Sequence, residues 1–235
     1  SQLKDAALLT LGIQKEALQS GMILKDASAY NIQFNQGKPI LIDTLSFTQY
    51  VEGNPWVAYR QFCQHFLAPL ALMSKVDLRL EKLLSLYIDG IPLDLCSTLL
   101  PFSTRLDIGL LTHIHLHAKS QQFVISQKEQ KFTSGKKAAG MGKMGMIGLV
   151  ENLEATIKRL KPRFLRRGWV DYYAHTNYTD DTIDFKKQVV QRIVRSLSPQ
   201  VVWDLGANNG FFSRAAAEAA DCLVISADVD PDSVE

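Results

Sequence analysis

The sequence predicts a mixed α/β protein: a mainly helical first part, a connector, and then the opening of a parallel strand–helix–strand sheet. Three observations predict it. Apolar residues recur at helical spacing through most of residues 3–121, with short strand-like runs near residues 32–43 only. Residues 127–167 turn polar, basic and glycine-rich. From Val201 a strand, a glycine loop, a helix and a second strand follow in order, and a helix between two apolar strands implies a parallel pair.

Taken in order, Leu8, Leu9, Leu11, Ile13, Ala17 and Leu18 space out a helix over residues 3–21, with Gly21 as its stop. Ile32–Phe34 and Pro39–Asp43 read as two strands joined by the turn Asn35-Gln-Gly-Lys38. Helical patterning runs from Trp56 to about Leu100, interrupted at Asp89-Gly-Ile-Pro92, and again over Ile108–Gln121. A short helix is expected over Leu149–Leu160, and a longer one over roughly Asp181–Leu197, capped by Thr179 and stopped by Ser198-Pro199. On the longer helix, Phe185, Val189, Val190, Ile193, Val194 and Leu197 form one apolar face. These elements give three regions: a helical domain 1–126, a linker and basic connector 127–168, and a last domain 169–235.

Bulk composition narrows the function classes. Of 235 residues, 46% are hydrophobic and 21% charged, with a net charge of +2, which selects neither nucleic acid nor an anionic membrane. No apolar run approaches the ~20 residues that span a bilayer. Cys63, Cys96 and Cys222 are widely separated, which fits buried thiols in a reducing compartment and a cytoplasmic location rather than disulfides or zinc. Ser1 at the start, and a helix just beginning at Pro231-Asp-Ser-Val-Glu235, lead us to expect a piece of a longer protein.

The densest chemistry lies in Asp204-Leu-Gly-Ala-Asn-Asn-Gly210, a loop turning off the carboxyl end of a strand. Gly206 and Gly210 can take positive φ and let a ligand approach the backbone. The helix that follows offers free N–H groups and a positive dipole end. Eighteen residues after Gly210 the second strand ends in Ala227-Asp-Val-Asp230, where an acid can accept both hydroxyls of a ribose. A dinucleotide fingerprint would need glycine at positions 208 and 211, which hold Asn208 and Phe211.

Residues 200–235 thus resemble motif I and the ribose-binding acid of the class I S-adenosylmethionine-dependent methyltransferases, with Asn208 in place of the middle glycine. The resemblance implies a Rossmann-like methyltransferase domain, present in its N-terminal part only, with S-adenosylmethionine as cofactor and no metal. Asp204, Gly206, Asn208 and Gly210 would line the methionine end of the cofactor, and Asp228, in preference to Asp230, its ribose. Tyr178, closing the aromatic run that starts at Trp169, would fold over the pocket, or the run would cap the domain's apolar edge. The base and substrate contacts of this family follow later strands, so no catalytic residue is assigned. The methyl acceptor stays open: a small molecule is favoured, with RNA or protein as alternatives.

A second resemblance lies in the first region. Asp26 and Asn31 have the spacing of the kinase catalytic loop, and Ile40-Leu-Ile-Asp43 follows as a strand ending in an acid. The segment resembles the C-lobe core of kinases and aminoglycoside phosphotransferases. As an active phosphotransferase it would use Asp26 as base and Asn31 and Asp43 as metal ligands. Leu24 stands where the usual His is, and Asp43-Thr-Leu45 replaces D-F-G. These departures lead us to expect a degenerate scaffold in which the three polar residues serve turns and caps.

Weaker signals take structural readings. His113, His115 and His117 lack an adjacent third ligand and acid, so packed or solvated histidines are expected rather than zinc. The basic run Lys158–Arg167 reads as a solvated connector rather than an RNA contact. Gly140–Gly148, with its three methionines, reads as linker.

Overall fold

The computed structural model describes residues 1–118, 141–163, 179–230 and 233. The chain forms two compact units, Ser1–Arg163 and Phe164–Glu235. Both units mix helices with small sheets, as the patterning predicted.

The first unit opens with helix α1 (Gln2–Gln19), whose Ala7, Leu11 and Leu18 are fully buried. Gly21 takes φ +73° and ends it. Strand β1 (Met22–Leu24) pairs antiparallel with β4 (Phe47–Gln49), and β2 (Ile32–Asn35) with β3 (Lys38–Leu41). Gln36 and Gly37 both have positive φ (49° and 76°), the geometry of a tight hairpin whose twist suits the flanking strands. The pairing of β1 with β4 is additional to the two strands expected from sequence. Each is only three residues long, too short for a period-2 signal.

Helices α2 (Tyr59–Phe62) and α3 (Ala68–Lys75) are joined by a π-helical segment, Cys63–Leu67. In that segment the Gln64 carbonyl accepts from the Ile91 N–H at 3.0 Å. Short helices α4 (Leu83–Leu86), α5 (Leu93–Leu99) and α6 (Ile108–Leu110) follow, and α6 continues into a second π segment, Leu111–Leu116. Of the helix expected over Ile108–Gln121, the part beyond residue 118 lies outside the described residues.

Helix α7 (Lys143–Arg159) is where the structure departs most from the sequence reading. The connector assigned to 127–168, with helix only from Leu149, contains a helix that begins six residues earlier and belongs to the first unit's core. Met146, Val150, Leu153 and Ile157 are fully buried. They recur every three or four residues and so form one apolar stripe. Helix α7 packs along α1. Lys4 Nζ donates to the last carbonyls, Lys158 O (2.8 Å) and Leu160 O (2.7 Å), and Lys15 lies against Glu151 and Glu154. Gly142, Gly145 and Gly148 gave the segment a linker's composition, but the burial of the stripe outweighs a cost of about 1 kcal/mol for each of the two glycines within the helix, Gly145 and Gly148.

The second unit holds helix α8 (Asp180–Leu197), strand β5 (Val201–Leu205), helix α9 (Phe211–Ala219) and strand β6 (Leu223–Ala227). As expected, the strands are parallel, in register from Val201↔Leu223 to Leu205↔Ala227. Helix α8 packs against α9, with Lys187 and Gln191 both reaching Glu218. Its apolar face is only partly covered within the described residues: Val194 is buried, while Phe185, Ile193 and Leu197 are exposed. Thr179 is its N-cap residue, but the hydroxyl pairs with that of Thr182 (2.9 Å) rather than with a backbone N–H.

Candidate functional site

The glycine loop gets its shape from both strands of the second unit. Beyond Leu205 the chain turns, and the N–H groups of Gly206 and Ala207 both donate to Ala227 O, at 2.8 and 3.0 Å, tying the loop to the end of β6. Gly206, Asn208 and Gly210 take φ of 81°, 47° and 72°. Three left-handed residues within five let the chain reverse and enter α9 with its first N–H groups facing the loop. Asn208 is tolerated at such a φ better than most side chains would be. Among the described residues no atom lies within 4 Å of where a Gly206 Cβ would stand, so the backbone there is open to a ligand.

Asp228, just past β6, closes on this loop. Its Oδ2 accepts the Asn208 N–H at 2.8 Å and its Oδ1 accepts the Asp230 N–H at 2.9 Å. The structure therefore brings Gly206, Asn208, Gly210 and Asp228 together at the carboxyl end of one parallel strand pair. Each carboxylate oxygen retains a lone pair for a further donor.

Asp204, expected to line the methionine end of the cofactor, stands on β5 just before the loop and has a partner in α9. Its Oδ2 accepts the buried Ser213 hydroxyl at 2.6 Å, and Ser213 Oγ in turn accepts from Ser226 Oγ at 2.7 Å. Neither serine was singled out from sequence; the signal available was only that Ser213 opens the helix on its sheet-facing side. Arg214 Nη1 donates to Asn209 O at 2.9 Å, and a cavity of about 140 Å³ lies beside it, reaching Ser226 and Ser233. Tyr178 and the aromatic run from Trp169 lie outside the described residues.

In the first unit the kinase-like positions are held by local bonds. Asp26 Oδ1 accepts the Ser28 N–H (3.0 Å), and Asp43 Oδ1 accepts the Leu45 N–H (2.9 Å). Asn31 Nδ2 donates to Ser46 Oγ (3.2 Å), which donates to Asp43 Oδ2 (2.7 Å). Those donors from Ser46 and Leu45, helped by Lys25, hold the Asp43 carboxyl below the usual carboxylate range. Two glutamines, unremarked in the sequence, anchor the segment: Gln14 Oε1 accepts from Leu24 N and Gln61 Oε1 from Ala27 N, at 2.9 and 2.8 Å.

The histidines are packed. His113 lies between the Tyr59 hydroxyl (2.6 Å) and Asn152 Oδ1 (2.8 Å), and His115 between Ser97 (2.8 Å) and Thr104 (2.9 Å). His117 stacks on Tyr59 with centroids 5.0 Å apart. Among the described residues no three His, Cys, Asp or Glu side chains gather to hold a metal ion, and no helix is long and apolar enough to cross a membrane. Cys63 and Cys96 are buried free thiols, Cys96 pushed up to about 12 by burial, and Cys222 is half-buried. Of the basic run Lys158–Arg167, Lys158 pairs with Glu154 and Arg159 with Asp107 (3.3 Å), while residues from 164 on lie outside the described set.

The site is thus an open glycine loop on a parallel βαβ unit, with an acid fixed at the neighbouring strand end. Comparison with known proteins adds a relative. The chain is 34% identical, over 99% of its length, to a protein described as nodulation protein NoeA of Rhizobium meliloti (strain 1021). The match covers 49% of that protein, so the chain spans about half the length of the curated relative it matches. No family model matches the chain. No solved structure matches it.

Proposed function

We propose that the second unit is the cofactor-binding half of an S-adenosylmethionine-dependent methyltransferase. The observation that carries this reading is the union of loop and acid: Asn208 N–H on Asp228 Oδ2, with the backbone open in front of Gly206. A nucleoside carrying an amino-acid tail matches those two features, its ribose diol at the carboxylate and its tail along the loop. The bound group would supply a methyl carbon on a sulfonium. This chain's residues bind and orient it, Asp228 by accepting ribose hydroxyls and Gly206–Gly210 by leaving room for the tail beside a backbone whose own N–H groups are bonded within the loop and to the end of β6. The fit extends to the residues present: the open space at Gly206 is what a close-lying ligand needs. The acceptor is proposed to be a small molecule, and the location cytoplasmic.

For the first unit we favour a scaffold over a phosphotransferase. The support is that Asp26, Asn31 and Asp43 satisfy the turns of their own segment and that Asn31 reaches Asp43 through Ser46. Isothermal titration of the chain with S-adenosylmethionine, S-adenosylhomocysteine and ATP–Mg tests both readings. Binding of the two adenosyl compounds and not ATP is expected. ATP–Mg binding that is lost in Asp43→Asn would overturn the scaffold reading, and no adenosyl binding would overturn the methyltransferase reading.

A further inference from the structure

Asp204, Ser213 and Ser226 form a side-chain relay around the buried Ser213, and we infer that Ser213 is a positioning residue that sets the separation between the two halves of the cofactor site. The inference rests on the methyltransferase reading. Asp204 is the last β5 residue but one before the loop, Ser213 is the third residue of α9 after it, and Ser226 precedes Asp228 by two positions. The hydroxyl of Ser213 donates to Asp204 Oδ2 (2.6 Å) and accepts from Ser226 (2.7 Å), so one side chain holds the stem of the loop shut and ties it to the strand that carries the ribose acid. Ser213 is 7% exposed. The bond to a carboxylate is short and charge-assisted.

The loop tip has its own tie to the acid, Asn208 N–H on Asp228. Backbone bonds from Gly206, Ala207 and Asn208 already tie the first half of the loop to Ala227 and Asp228. Ser213 adds the tie on the helix side of the loop, and without it Asn209, Gly210 and the start of α9 would drift relative to Asp228. A ligand that touches only the acid half would not sense that drift, whereas one spanning loop and acid would. The same geometry reassigns Asp204: it acts through Ser213 on the shape of the loop, with Oδ2 committed to the helix.

The test compares unsubstituted chain, Ser213→Ala and Ser213→Thr, each titrated with S-adenosylhomocysteine by calorimetry and with adenosine by NMR. Expected are roughly tenfold weaker S-adenosylhomocysteine binding in S213A, as a lost hydrogen bond to a carboxylate implies, with substantial recovery in S213T. Adenosine binding is expected to be the same in all three. Equal loss of both ligands in S213A would mean general damage and overturn the positioning role, as would undiminished S-adenosylhomocysteine binding. If the unsubstituted chain binds neither ligand, the cofactor reading itself falls and the positioning role with it. Binding by the unsubstituted chain that S213A keeps in full sinks the relay alone.

Discussion

At the scale of single residues, Asp228 does two jobs with one carboxylate, accepting Asn208 N–H on one oxygen and Asp230 N–H on the other. An amide in its place has only one acceptor oxygen, and its NH₂ would face a backbone donor. Asp228→Asn is therefore expected to weaken S-adenosylmethionine binding by about tenfold, as losing a hydrogen bond to a charged, half-buried group does. The same variant should speed hydrogen exchange at the Asn208 or Asp230 amide, and calorimetry with amide exchange by NMR checks both. The acid and the loop glycines were legible in the sequence because Gly206 and Gly210 sit at a strand–helix turn with Asp228 at a fixed distance downstream. Ser213 and Ser226 were not, since a serine becomes informative only when a partner is seen across the sheet.

Elements show the same division. The β2–β3 hairpin was readable because Gln36-Gly37 is a local turn signal between two strand-like runs. Helix α7 was not: Met146, Val150, Leu153 and Ile157 keep helical spacing, but three glycines and a basic tail carried the composition of a linker. Burial decides such cases, and burial depends on α1, more than a hundred residues away. Leu153→Ala tests the assignment. Removing a fully buried leucine side chain is expected to destabilise the first unit by about 2–5 kcal/mol, measured by urea denaturation followed by circular dichroism. A loss under about 0.5 kcal/mol, the range of surface substitutions, would return the segment to a connector. The π segment Cys63–Leu67 was equally invisible, since its Gln64 carbonyl accepts from the Ile91 N–H, a donor distant in sequence.

For the molecule as a whole, titratable groups predict how stability follows pH. Burial lowers the affinity of His65, His113 and His117 for a proton below the ordinary value near 6.5. Their folded pKa values are depressed, so the unfolded chain binds more protons between those values and about 6.5. Stability is then complete above about 6.5 and declines as pH falls through that window, by at most about 1.4 kcal/mol per pH unit for each histidine. Asp43 and Glu154, held low by hydrogen bonds from Ser46 and Lys158, extend the decline below the unfolded carboxylate range near 4. Thermal unfolding between pH 8 and 4 is expected to show the midpoint falling from about pH 6.5 downward; a flat profile from 7.5 to 5 would contradict the packed-histidine account.

The pairing of α1 with α7 also has a consequence in time. Lys15 meets Glu154 across 139 residues of chain, and Lys4 meets Leu160 O across 156. During synthesis α1 can pack on β1 and β3 soon after it leaves the ribosome, but it meets its long partner only after nearly the whole first unit has been made. Contacts of such long sequence separation close late and slow folding. At some ~5–20 residues per second, the 139 residues that separate Lys15 from Glu154 take about 7–28 s to make. Until then α1 is covered on its strand side only, and the core of the first unit stays incomplete until α7 emerges.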